Sequence, residues 1–137
     1  MKSIIKSLVV CFFVVAALKS NAQVMAQKAQ WVTIKSNNLK CWECKQRLEA
    51  YMMKESDASF EGGIAELKFN LVQGELKVKY YPDRIDTSDI KLIMNNAGFD
   101  ADTEKANPDS YKKLPAICKR AEDGGGPKKG EPCHVEP

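Results

Sequence analysis

The sequence predicts an α+β fold in the order β-α-β-β-α-β, and three patterns predict it. Two stretches around Gln73-Gly74 alternate apolar and polar residues, the mark of half-buried strands. Two other stretches carry apolar residues at helical spacing. Gly62-Gly63, Pro82-Asp83 and Gly98 punctuate the chain between them.

The elements follow in order. Trp31-Val32-Thr33-Ile34-Lys35 is β-branched and aromatic, which predicts the first strand, and Ser36-Asn37-Asn38 is turn material. Cys44, Leu48, Tyr51 and Met52 stand at i, i+4, i+7 and i+8, the apolar face of a first helix. Ala65, Leu67, Phe69 and Leu71 alternate with Glu66, Lys68 and Asn70 as the second strand. Leu76, Val78 and Tyr80 alternate with Lys77 and Lys79 as its hairpin partner. Thr87-Ser88-Asp89 offers capping side chains and early acidic charge to a second helix, whose stripe is Ile90, Ile93, Met94 and Ala97. Gly98 is placed to end it, and Phe99, Ala101 and Thr103 alternate as a short last strand. Two short helices on one face of an antiparallel sheet make a ferredoxin-like sandwich, assigned to residues 31–106.

The ends have a different character. Lys2 and Lys6, the uncharged apolar run 8–18 and Ser20-Asn21-Ala22 form the pattern of a secretory signal peptide over residues 1–22. The apolar run is well short of the ~20 residues a spanning helix needs, so the expected mature chain has no membrane segment and is periplasmic or secreted. Residues 23–30 are a lead-in. Lys2, Lys6 and Lys19 account for the whole formal charge of +3, leaving the mature chain near neutrality with no basic stripe. That excludes electrostatically driven nucleic-acid binding. Residues 107–137 hold five of the six prolines and the run Gly124-Gly125-Gly126, which predicts a flexible tail with Tyr111 and Leu114 packing back on the domain.

The chemistry gathers on cysteine. Without Cys11, which lies in the signal, four remain: Cys41, Cys44, Cys118 and Cys133. Cys41-Trp42-Glu43-Cys44 sits between the first strand and the first helix. Unpaired N–H groups and the positive dipole end favour thiolate there, and two soft sulfurs three positions apart can converge on one soft ion such as Cu(I) or Zn(II). Lys40 and Lys45 flank the pair and offset its negative charge. The same motif serves thiol–disulfide oxidoreductases and zinc sites, and in an oxidising compartment an even cysteine count also allows disulfides, Cys41–Cys44 or Cys118–Cys133. Cys118, Cys133 and His134, the only histidine, are candidate additional ligands. No Ser-His-Asp, Cys-His-Asn or paired-carboxylate set is apparent, so an enzyme is not expected. Met52, Met53 and Met94 fit structural positions, and Asp83, Asp86 and Asp89 fit turns and caps.

Residues 31–103 resemble a heavy-metal-associated (HMA) domain of the copper-chaperone and mercuric-binding-protein type. The resemblance rests on the first strand, the CxxC opening helix one, the 65–80 hairpin, and Ile93-Met94-Asn95-Asn96-Ala97-Gly98-Phe99 before the last strand. It implies that Cys41 and Cys44 hold one metal ion, commonly Cu(I), with Zn(II) and Hg(II) as other soft candidates. It also implies an acceptor metal-transport protein as partner, and places Phe99 near the metal loop. Where that family's loop reads Gly-Met-Thr, this chain has Asn38-Leu39-Lys40, with Leu39 standing in as the buried anchor. Lys40 disfavours the zinc-selective form of the loop, which carries an acid there. The segment 55–63 after helix one is longer than the family's pattern. A thiol–disulfide oxidoreductase and a metal-free protein-interaction module are the competing readings.

Overall fold

The structure is a computed structural model that describes residues 28–128 and Cys133. The signal peptide, residues 23–27 of the lead-in and His134 lie outside the described residues. Strand β1 (Gln30–Lys35) leads into helix α1 (Trp42–Ser59), the hairpin β2 (Ile64–Asn70) and β3 (Glu75–Tyr80), and helix α2 (Thr87–Asn96). The three strands form one antiparallel sheet in the order β1-β3-β2. Val32, Ile34, Leu67, Phe69, Leu76, Val78 and Tyr80 face one core with Leu48 and Met52 of α1 and Ile90, Ile93 and Met94 of α2. This is the expected ferredoxin-like α+β arrangement, with both helices packed on one sheet face.

The extra length after helix one is helix. α1 continues to Ser59, and Ser56 is fully buried inside its last turn. Its hydroxyl accepts the N–H of Ile64 at 2.8 Å, and its carbonyl accepts those of Phe60 and Gly62, so one residue both ends the helix and starts β2. In β2 the expected inward position of Ala65 is corrected. Ile64 pairs with Tyr80 and Glu66 with Lys79, so Ala65 is the extra residue of a bulge. It stands exposed while Ile64 is buried. The hairpin turn ends on Gly74 at φ +66°, pressed so close to the Ser36 carbonyl that a Cβ would lie 2.6 Å from its oxygen. Helix α2 is capped by Asp86, one residue earlier than the expected cluster: its carboxylate accepts the Asp89 N–H, and its own N–H donates back to the Asp89 carboxylate. Gly98 at φ +95° ends it as expected.

The last strand does not form. Asp102 adopts φ +55°, and Ala101 and Glu104 close a tight reversal by exchanging two 3.0 Å backbone bonds. The chain still lies along the edge of β1 at one point. The Asp102 N–H donates to the Lys35 carbonyl at 2.7 Å, and its carboxylate accepts the Lys35 N–H at 2.9 Å. A side chain thus supplies the acceptor that a strand's backbone would have supplied.

Residues 107–128 of the tail form short helical turns against the domain, where their composition suggests a flexible segment. Asn107 caps a short helix α3 (Pro108–Lys112), and 3-10 turns follow at Ala116–Cys118 and Ala121–Asp123. Leu114 and Cys118 join the core cluster, with Tyr111 packed against it.

Candidate metal centre

Cys41 is the N-cap of α1, in extended conformation, and its carbonyl accepts the Lys45 N–H at 2.9 Å. Cys44 is the third helical residue. Both sulfurs therefore belong to the end of α1 where the unpaired N–H groups and the dipole favour negative charge. Both cysteines are fully buried, as is Leu39, the anchor of the loop before them. Lys40 is exposed beside the pair, whereas the Lys45 ammonium lies 5.7 Å from the centre of the Phe69 ring.

The four cysteines come together, but not in either pairing that the spacing suggested. Cys41 is bonded to Cys133 and Cys44 to Cys118, with Cα separations of 5.4 and 5.5 Å. Neither a Cys41–Cys44 nor a Cys118–Cys133 disulfide forms. The reason is the fold of the tail, which runs back over the start of α1 and brings one tail cysteine to each loop cysteine. Cys118 is fully buried and Cys133 half-buried, its sulfur 3.3 Å from the Lys40 carbonyl oxygen. With all four sulfurs in disulfides, no group of three or more His, Cys, Asp or Glu among the described residues is arranged to hold a metal ion.

The docking of the tail does not rest on the disulfides alone. Asn38, which the sequence offers as turn material and as the start of the loop before Cys41, is buried against the tail. Its amide nitrogen donates to the carbonyls of Gly98 (3.1 Å) and Cys118 (2.9 Å). Its oxygen accepts the Asp100 N–H at 3.0 Å and the Ser36 hydroxyl at 3.2 Å. Phe99, between the Gly98 and Asp100 contacts, is fully buried. Two residues past Cys118, Arg120 forms a two-pronged ion pair with Asp100, whose side chain is 1% exposed. Burial pushes the Asp100 carboxyl up, but bonds from Arg120 and the Ala106 N–H, with the charges of Arg120 and Lys105, outweigh it and hold it below the ordinary carboxylate value. The same bonds hold the Arg120 guanidinium above its usual value. The guanidinium also lies 4.2 Å over the Tyr111 ring, and the Tyr111 hydroxyl donates to Asp123 at 2.6 Å.

Beside the pair, Asn37, Lys40, Ile117 and Lys119 line a cleft of about 260 Å³ between the loop and the tail. Asn38, Asp100 and Arg120 were missed by sequence reasoning because their partners are 20 to 80 residues away. Met52 and Met94 are core residues, and Asp86 and Asp89 are cap residues, as expected.

No family model matches the chain, and no curated protein is significantly similar to it. Among solved structures, a copper-binding domain from HMA7, a P-type ATPase, overlaps with a TM-score of 0.46 at 24% identity, over 53% of this chain and 89% of that one. The CopZ metallochaperone overlaps with a TM-score of 0.45 at 21% identity, over 53% and 98%. A copper form of a CopA variant from Bacillus subtilis overlaps with a TM-score of 0.46 at 19% identity, over 58% and 97%. The fold described above stands on its own strand order and packing.

Proposed function

We propose that this chain is an exported soft-metal-binding protein whose reduced form holds one ion, Cu(I) in the first place, between Cys41 and Cys44. The observation that carries the reading is the position of the two sulfurs, at the N-cap and third residue of one helix, where thiolate is favoured. Soft sulfur ligands select Cu(I) and Hg(II) over hard cations, and the adjacent Lys40 and Lys119 offset the charge of a thiolate complex.

Binding requires reduction, because each of the two sulfurs belongs to a different disulfide. For each bridge, a dithiol reductant attacks one sulfur, closes on itself as a cyclic disulfide, and leaves two cysteine thiols. Cu(I) then displaces one proton from each of Cys41 and Cys44. Hand-over to an acceptor metal-transport protein would proceed by exchange of these thiolates for the acceptor's own.

The test is anaerobic titration of the reduced mature protein with Cu(I), Zn(II) and Hg(II), read by mass spectrometry. The wild type is expected to take up Cu(I) stoichiometrically, and the Cys41→Ser, Cys44→Ser double variant to take up none while keeping its circular dichroism. Undiminished uptake by the double variant sinks the reading.

A second reading is favoured by the disulfides themselves: a metal-free interaction module stapled through its tail. It predicts disulfides that persist during function and partner binding independent of metal. The oxidoreductase reading is weakened by the pairing, since Cys41 and Cys44, which it needs as one reversible disulfide, are each bonded to a tail cysteine.

A further inference from the structure

The tail does more than cover the metal loop, because it carries its own sulfur to a fixed place. Cys118 ends a 3-10 turn, and its N–H donates to the Pro115 carbonyl at 2.9 Å. Its carbonyl is held by Asn38 at 2.9 Å. Upstream, Leu114 packs on Gly98 so closely that a Cβ there would lie 3.1 Å from it. Downstream, Arg120 grips the buried Asp100. None of these contacts involves sulfur. When the Cys44–Cys118 bond is reduced they remain, so the two sulfurs stay next to each other at the start of α1.

We propose that Cys118 would be a third metal ligand beside Cys41 and Cys44 in the reduced protein. The proposal rests on the reading that Cys41 and Cys44 bind the ion. One Cu(I) and three thiols would give a three-thiolate complex of net charge −2 and three protons, and Lys40 and Lys119, next in sequence to Cys41 and Cys118, line the cleft between loop and tail. Cys118 is fully buried, so a site that includes it offers no open position to an acceptor's thiolate. Closed sites retain metal, whereas open ones exchange it. The site therefore suits sequestration more than rapid transfer.

X-ray absorption on the reduced, Cu(I)-loaded wild-type protein reads the coordination directly without any variant. Three sulfur neighbours per copper are expected, and two overturn the proposal. Competition with a Cu(I) chelator supplies the second arm. Cys118→Ser is expected to weaken Cu(I) binding at least about tenfold, the low end for disturbing a metal's surroundings. Cys133→Ser serves as the control expected to bind like the wild type. Wild-type affinity in Cys118→Ser together with a two-sulfur spectrum refutes the third ligand alone. Undiminished binding by Cys41→Ser, Cys44→Ser refutes the underlying reading as well.

Discussion

Asn38 uses three of its four hydrogen-bonding positions as joints between separate parts of the chain, and a fourth on Ser36. Asn38→Ala leaves the Gly98 and Cys118 carbonyls and the Asp100 N–H buried without partners. Loss of about 3 kcal/mol of stability is expected in denaturant titration of the reduced protein. Asp100 and Arg120 make a sharper case. Removing Arg120 strands a buried carboxylate, so Arg120→Ala should cost about 3–5 kcal/mol, while replacing both partners by apolar residues should cost much less. The pair also sets a pH dependence. Asp100 is held below the ordinary carboxylate value in the folded protein. Its contribution is then fully present above the unfolded-state value, near 3.9, and is lost as the pH falls through the lower folded value. In acid titration of the reduced protein followed by Tyr111 fluorescence, release of the tail is expected at strongly acidic pH. Asp100→Asn should remove that acid-driven phase.

At the scale of elements, the strands and helices with strong local periodicity were legible. The alternation of 75–80 and the stripe of 90–97 need no distant partner to show themselves, and both elements formed as expected. The departures lie where a single residue's backbone or a distant contact decides. Ala65 alternates correctly in sequence, yet the bulge turns it outward. Phe99, Ala101 and Thr103 alternate too, but Asp102 in left-handed conformation reverses the chain, and its carboxylate replaces the missing ladder on Lys35. Asp102→Ala removes that acceptor and should expose the Lys35 N–H, seen as faster amide exchange at the edge of β1. The tail departs from its composition for a related reason. Its proline and glycine content suggests flexibility, and Leu114 and Tyr111 pack back on the domain as expected, but Asn107, Cys118 and Arg120 also find partners there that no local pattern announces.

For the molecule as a whole, the cysteines tie its two halves together. The loops closed are 92 and 74 residues long. Each would remove about 4–5 kcal/mol of unfolded-state entropy taken singly, and less than the sum together because the loops overlap. A small domain gains much from that, since its own core stabilises it only marginally. Reduction should thus lower Tm markedly, and metal binding to the reduced chain should restore part of the loss in proportion to ion concentration over Kd. The placement of Cys41 and Cys44 at the start of helix α1 was legible from spacing alone. Their cross-pairing was not, because it depends on where the tail docks.

The most direct test of the account is native mass spectrometry of the mature protein with Cu(I), taken first with both disulfides intact and then after full reduction under anaerobic conditions. No bound ion is expected in the oxidised protein, and one tightly bound ion per chain in the reduced protein. Tight binding to the oxidised form, or none to the reduced form, would contradict it.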